Sequence, residues 1–501
     1  MVIVSPGVYS REVDLSLYTP QLATAILGLI GTASKGPVNE VTLITDEGQL
    51  VDTFGPPSGQ HYALFAAVRF LRKGNQLKFV RVADYDIEAT GTIKDQTLAD
   101  AFSVLAVSSG SWGNNISLLV GSGTDAGTYK ITVLYNGMSA EVYDLLKVGP
   151  LNVDDVNYIM TRINGISEYI SVTALASSTT LDSGTVTLSG GDDGAPAQVS
   201  DYIGSVGDPP TIPATGLQLF ANPETEDVNV IAVPGISHRS VISAMQTLCE
   251  SRADCIYITA PPYGKTVKQA VAWMNGLGGG PEDPLTSINS SYGAVFYPWI
   301  KVYDGYSDSE VWIPPDGHVA GAIAFTDFVA DPWWAILGLN RGLLSDALNV
   351  EYSATQGERD YMYSNGNSLN PIINMAGQGI VIWGQRTAQR QPTALDRINV
   401  RRLLLYMRKA IATATLSLVG EPNDEDTWSR FRLLVSPIME EIRGRRGITD
   451  YQVVCDETTN TAARRNRNEM YAKVMFKPTK TAEMIQLDFV ILNQQTSFSE
   501  L

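Results

Sequence analysis

The stretch that comes nearest to a chemical motif is Tyr263-Gly264-Lys265-Thr266, which follows a strand-like run and precedes a helix-like one. A phosphate-cradling loop has that placement, because backbone N–H groups and a lysine at a helix start stabilise negative charge. Such a loop also needs a glycine five residues before its last glycine, where this chain has Thr259. Pro261 and Pro262 remove two further N–H donors. The segment therefore reads as an ordinary helix start. The glycine run Gly276 to Pro281 follows a helix rather than a strand, so it is a loop and not a dinucleotide fingerprint. His61, His238 and His318 are the only histidines, and their spacing offers no zinc ligand set. Cys249, Cys255 and Cys455 are too few for a disulfide framework, which points to a reducing compartment. Cys249 and Cys255, on either side of a helix-to-strand joint, read as small buried hydrophobes. Asp424-Glu425-Asp426 stand where carboxylates favour a helix N-terminus. The sequence contains no GxSxG elbow. No catalytic, cofactor-binding or metal-binding residue is assigned, and no cofactor is expected.

The elements that would position any site fall into two rhythms. Ala23 to Ala33 and Leu77 to Ala83 read as buried strands, with a short helix after Asp46 and another carrying Tyr62, Phe65, Val68 and Leu71 between them. From Ile87 to about Gly216 the chain is rich in Ser, Thr, Gly, Val and Tyr. Alternating runs such as Ile116 to Gly121, Tyr129 to Tyr135 and Gly184 to Gly190 indicate a β-rich module with one helix near Asp154 to Asn164. Residues 207–216 read as a linker. The strand-helix rhythm then returns with Val230 to Gly235, Cys255 to Pro262 and Ala294 to Asp304 as strands, which argues a parallel sheet interrupted by the β-rich insertion. Towards the end lie a strand from Gly379, a long helix with Ile398, Leu404 and Ile411, and a helix from Thr427 to Arg443. Strands Tyr451 to Asp456 and Met484 to Leu492 follow.

The expected fold class is α/β (mixed α+β) and multidomain. It comprises an N-terminal arm (1–21), a discontinuous α/β domain (22–86 plus 217–375), an inserted β-rich outer domain (87–216) and a C-terminal core domain with a terminal strand arm (376–501). The 501 residues carry a formal net charge of -17, which repels polyanions and opposes direct nucleic-acid binding. Residues 380–501 hold 18 Lys+Arg against 14 Asp+Glu, half of all the basic residues, so the two parts of the chain are expected to face different partners. No apolar run approaches the ~20 residues that span a bilayer, so no membrane insertion is expected. The N-terminus has no secretory signal pattern.

Three segments together resemble the tail sheath proteins of contractile phage tails and related injection machines. The first is Pro6-Gly7-Val8-Tyr9 with Arg11-Glu12-Val13, followed by Gly31-Thr32-Ala33-Ser34-Lys35-Gly36-Pro37 and Phe54-Gly55. The second is Ile313-Pro314-Pro315-Asp316-Gly317-His318-Val319-Ala320-Gly321 with Thr326-Asp327 and Asn340-Arg341. The third comprises Trp383-Gly384-Gln385-Arg386-Thr387, Ile398 to Leu403, Pro422-Asn423 and Pro478 with Ala482-Glu483. Thr481 to Ile485 depart from the family, which more often has a second proline and a phenylalanine there.

The resemblance implies a virion subunit, assembled in the host cytoplasm, that polymerises with itself as stacked hexameric rings around a tail tube. The sheath contracts to drive the tube through the host envelope. Its further partners would be the tail tube, baseplate and tail terminator proteins. It also implies that terminal arms complete a neighbour's sheet. Val8, Tyr9, Arg11 and Val13 would lie on one arm, and Ile485, Leu487, Phe489 and Ile491 would form one face of the other. Arg443, Arg445 and Arg446, beside Gly444 and Gly447 at a helix end, would face the tube. A competing reading is a soluble α/β enzyme with an unrecognised active site, with Asp327, Asp331 or Arg341 as polar participants. A tail tube or capsid protein is a third reading, opposed by the two α/β rhythms.

Overall fold

The computed structural model describes residues 23–484 and 486, apart from 60, 85–86, 150–151, 177, 209–210, 278–279 and 281–286. They form two compact units that meet in sequence after Ala410. The first half of the larger unit runs β1 (Leu27–Gly31), β2 (Val41–Ile44), α1 (Glu47–Phe54), α2 (Tyr62–Leu71) and β3 (Leu77–Arg81). The chain then leaves for the insertion: β4 (Thr90–Lys94), β5 (Asp100–Ala106), β6 (Ile116–Ser122), β7 (Tyr129–Tyr135), β8 (Met138–Leu146), α3 (Ile159–Ile163), β9 (Ile170–Ala174), β10 (Gly184–Thr187) and α4 (Val199–Ile203). It returns through β11 (Val230–Ala232), α5 (Arg239–Arg252), β12 (Ile256–Thr259), α6 (Val267–Met274) and β13 (Gly293–Tyr297). Next come β14 (Ile300–Asp304), β15 (Ser309–Ile313), α7 (Asp316–Val329), β16 (Ala347–Val350), α8 (Gln356–Tyr363), β17 (Leu369–Met375), β18 (Gly379–Ile382) and α9 (Ile398–Thr415).

One eight-stranded sheet, ordered β18-β17-β13-β12-β11-β1-β3-β2, organises the larger unit. The pairs from β17 through to β3 are parallel, and only the edge strands β18 and β2 run antiparallel. Leu27, Leu29, Phe79, Ile256, Ile258, Ala294 and Phe296 enter one core with α2 and α7. Their neighbours Ile30, Val80, Tyr257, Val295 and Tyr297 enter a second with α5 and α6. Both faces are covered, which explains strands without polar alternation. The run from Ala294 to Asp304, expected as one strand, divides at Pro298, because proline offers no ladder N–H. Its second half joins a three-stranded sheet, β15-β14-β16.

The insertion folds around its own core as far as β10, whereas Tyr202 of α4 packs in the second core of the large sheet. The sheet β4-β5-β9 supplies Phe102, Val104 and Val172, and the sheet β10-β6-β7-β8 supplies Ile116, Leu118, Ile131 and Val133. The helix expected from Asp154 is only Ile159–Ile163. The stretch expected as a linker turns back on itself, with Asp208 N donating to Ile212 O at 2.8 Å. The buried Arg81 holds the insertion to the sheet, donating from Nε to Ala33 O (3.0 Å) and from Nη1 to Gly36 O (2.7 Å) and Ser109 O (3.1 Å).

Helix α7 carries the segment Asp316 to Gly321 that resembles the family signature, and it lies against α2 closer than ordinary side chains allow. A Cβ on Gly317 would stand 2.4 Å from Ala66 Cα and O. At the far end of α2, Asp346 gathers Arg69 Nη1 (3.3 Å), Arg72 Nη1 (3.2 Å) and His318 Nε2 (3.2 Å). Burial alone would raise the Asp346 carboxyl, but these three groups hold it well below the usual carboxylate range. Asp316 lacks such partners: it is fully buried, its Oδ1 has no hydrogen bond, and burial pushes its carboxyl up to about 7.

Two outcomes follow from this seat. Gly317→Ala should lower stability by about 1–3 kcal/mol, since backbone must move to admit the methyl; an unchanged denaturation midpoint would contradict the close contact. Folded chains keep the Asp316 proton until about pH 7, whereas unfolded chains lose it near pH ~4. The stability it contributes is therefore present below about pH 4 and lost as pH rises through 7. Asp316→Asn should stabilise the protein above pH 7, by on the order of 4 kcal/mol at most, and give no advantage at pH 4. An equal difference at both pH values would sink this assignment.

Candidate functional site

In a doubly wound sheet, ligands enter where the strand order reverses, at the carboxyl ends of the strands. Here that position lies between β1, which continues outward to β3, and β11, which continues to β12 and β13. The start of α2 fills it. A Cβ on Gly31 would stand 2.2 Å from Ala63 Cβ, and one on Gly235 (φ 80°) would stand 2.3 Å from Tyr62 Cδ2. His61 Nδ1 and Thr32 Oγ1 are 2.8 Å apart and satisfy each other. The next loop along holds Tyr263 to Thr266. Gly264 N donates to Glu351 Oε1 (2.5 Å), so a carboxylate already takes the donor that a phosphate would need. Thr266 and Gln269 form a reciprocal capping box at the start of α6.

The other polar residues singled out by sequence are structural in their surroundings. His238 caps α5, accepting from Ser240 N at 3.3 Å. Asp327 is clamped by Arg402, with Nη1 at 2.7 Å and Nη2 at 2.6 Å, both side chains being buried. Arg341 donates to Ala335 O (2.7 Å) and stacks on Trp334, while Asp331 accepts from Trp334 N through its backbone oxygen (3.0 Å). Asp327, Asp331 and Arg341 lie in one stretch of chain; Asp327 is bound to Arg402, whereas Asp331 and Arg341 both meet Trp334. Cys249 and Cys255 are free and buried. Among the described residues no cluster of three or more His, Cys, Asp or Glu could hold a metal ion. No helix there is long and apolar enough to cross a membrane.

What remains open is the C-terminal unit. After α9 it contains α10 (Glu425–Gly444), β19 (Ile448–Val454), α11 (Ala462–Arg465) and β20 (Lys473–Pro478). Asp424 caps α10 by accepting from Thr427 N at 3.0 Å, the place its carboxylate suggested. Trp428, Phe431, Val435, Ile438, Met439 and Ile442 form the buried stripe of α10. The strands β19 and β20 pair with each other, from Ile448↔Pro478 to Val454↔Lys473. The Tyr451 hydroxyl ties them to α10, lying 3.3 Å from Ser436 O and 3.2 Å from Glu440 Oε2. Two-stranded ribbons are marginal alone, and their outer edges offer unpaired N–H and C=O groups. Among the described residues no third strand joins either edge of this one.

Arg443, Arg445 and Arg446 come together, exposed, at the end of α10. Arg443 Nη2 lies 2.5 Å from Glu440 Oε1, and Arg445 Nε lies 3.6 Å from Glu441 Oε1. Arg446 adopts φ 66°, and Gly447 N reaches back to Ile442 O at 2.8 Å to close the helix. The basic surplus of residues 380–501 is not a feature of this unit, however. Residues 411–501 hold 11 Lys+Arg and 13 Asp+Glu. Much of the surplus sits earlier, as the buried Arg401 stacked 3.4 Å from the Tyr292 ring centre, the buried Arg402 on Asp327, and Lys409 on Asp227. Counting charges in sequence cannot see that Arg401 and Arg402 are buried or that Lys409 is already paired. Val8, Tyr9, Arg11, Val13, Ile485, Leu487, Phe489 and Ile491 lie outside the described residues.

Three protein-family models match the chain: the tail sheath protein Gp18 domain III N-terminal region over residues 24–82, the phage tail sheath protein central domain over 214–388, and the phage tail sheath C-terminal domain over 390–491. The tail sheath protein of Vibrio phage KVP40 is 32% identical over 357 residues, covering 68% of this chain and 51% of the relative. That of Enterobacteria phage T4 is 27% identical over 532 residues, covering 98% of this chain and 76% of the relative. The chain thus spans about half the length of the Vibrio phage protein and three quarters of the T4 one. In fold it is similar to a sheath tail protein from Listeria innocua (TM-score 0.61, 15% identity, 92% of this chain and 96% of that one). It is also similar to the contracted PVC sheath complex of an extracellular contractile injection system (TM-score 0.58, 15% identity, 99% and 100%). The matched regions flank the β-rich insertion on both sides, and on that evidence the chain belongs to the phage tail sheath protein family.

Proposed function

We propose that this chain is the structural subunit of a contractile tail sheath. Copies stack as hexameric rings around a tail tube and contract to drive the tube through the host envelope during genome delivery. The observation that carries the reading is the two-stranded β19–β20 ribbon, whose edges lack strand partners among the described residues. A strand donated by another copy would complete it, with main-chain hydrogen bonds supplying attachment and alternating side chains supplying register. The donors are the segment with Val8, Tyr9, Arg11 and Val13 and the segment with Ile485, Leu487, Phe489 and Ile491. Attachment through extended arms lets subunits move relative to one another while staying joined.

The proposed domain division is an arm at 1–21, an α/β domain at 22–86 plus 217–375, an outer module at 87–216 and a C-terminal core at 376–501. The separate hydrophobic core of the insertion supports the second boundary, whereas the pairing of β18 with β17 supports moving the last one past Ile382. The partners are other copies, the tail tube protein, and the baseplate and tail terminator proteins. The location is the virion tail, after assembly in the host cytoplasm. A role without catalysis is supported by the filled switch point and the carboxylate-occupied loop at Gly264. The net charge of -17 supports the lack of direct nucleic-acid contact.

Arg443, Arg445 and Arg446 form the proposed tube-facing patch. Glu440 and Glu441 supply local counter-charges, so docking exchanges one carboxylate for another. Exposed pairs are worth about 0–1 kcal/mol each, which suits a surface that must let go.

Deleting residues 1–17 should leave a folded, monomeric protein that no longer polymerises, as read by sedimentation; unchanged polymer yield would rule out the arm mechanism. Charge reversal in the double variant Arg445→Glu, Arg446→Glu should reduce assembly on the tail tube while leaving the melting temperature within a few degrees of the parent. Normal co-assembly with tube would remove those residues from the interface.

A further inference from the structure

We propose that Cys249 and Cys255 are an oxidation site built into the α5–β12 joint, which a peroxide closes into an intrachain disulfide. The two Sγ atoms stand 3.6 Å apart, already in contact, and both thiols are free and fully buried. A disulfide needs ~2.05 Å, so closure requires a further approach of roughly 1.5 Å.

The proximity is imposed by the joint, not by a loose loop. Cys249 is in the last turn of α5 and Cys255 immediately precedes β12. Between them Ala253 adopts a left-handed conformation (φ 55°), and its N–H donates to Cys249 O at 2.9 Å. Arg252 grips Asp254 through Nε (2.9 Å) and Nη2 (2.8 Å) and also donates to Glu226 O at 2.9 Å. Cys455, by contrast, has an amide neighbour, Asn460 Nδ2 at 3.6 Å.

The chemistry balances with one peroxide. One sulfur attacks a peroxide oxygen, giving a sulfenic acid and one water; the second sulfur displaces the hydroxyl as a second water, forming the S–S bond. Two thiols lose two electrons and two protons in total. Burial pushes the Cys249 thiol up, so the first step is slow. Once it occurs, the partner sulfur is in contact while bulk peroxide is not, so closure outruns further oxidation. The same burial shields the bond from reductants. A particle made under reducing conditions and released into peroxide-containing surroundings would therefore acquire this staple after folding.

Trypsin provides a direct readout, because it cuts after Arg239, Arg252 and Lys265 and so separates the two cysteines. The full chain is incubated with hydrogen peroxide for hours at neutral pH, alkylated after denaturation and digested without reduction. The expected result is that residues 240–252 and 253–265 appear mainly as one linked pair, two hydrogens lighter than the sum, which dithiothreitol resolves. Alkylation of both cysteines, or two or three added oxygens on either sulfur, would overturn the proposal. In Cys249→Ala the linked pair should vanish and Cys455 should remain alkylated; a new link from Cys255 to Cys455 would show scrambling and equally overturn it.

Discussion

Helix α2 is seated on the sheet at distances that only small residues permit, and the rest of the larger unit depends on that seat. Its first turn, with Tyr62 and Ala63, packs into space left by Gly31 and Gly235. Its middle, at Ala66, receives the backbone of Gly317 from α7. Its end places Arg69 and Arg72 on Asp346, together with His318. Close approach keeps dispersion contacts dense, and burying Asp346 is tolerable because three polar groups surround it. A fold whose relatives in other families leave a crevice at the strand reversal is here a filled block.

That filling connects packing to function. A nucleotide site needs a cleft with free backbone donors, whereas Gly264 N faces Glu351 and Thr32 is paired with His61. β19 and β20 make one ribbon on α10, and among the described residues no further strand pairs with its outer edges.

Local patterns were legible in the sequence, and long-range ones were not. The buried strands around Leu29 and Phe79, the cap at Asp424 and the helix start at Thr266 each rest on a few neighbouring residues. The Asp346 cluster was invisible because its partners Arg69 and Arg72 lie more than 250 residues away in the chain. The end of β13 at Tyr297 is hidden in the sequence because Pro298 sits inside an apolar run that continues through the change of sheet. The basic surplus of residues 380–501 was real as a count, yet Arg401 and Arg402 spend it inside the larger unit. Burial, not composition, decides whether a charge is available to a partner. The segment from Asp316 to Gly321, which resembles a family signature, holds the glycine at position 317 that lets α7 touch α2.

The most direct measurement is a cryomicroscopy reconstruction of the polymer formed by the full chain, at a resolution that separates strands. In that polymer β19 and β20 should lie within a larger sheet whose added strands are the segments around Val8–Val13 and Ile485–Ile491 of neighbouring copies. A polymer in which β19 and β20 remain a two-stranded ribbon, with subunits joined through other surfaces, would contradict it.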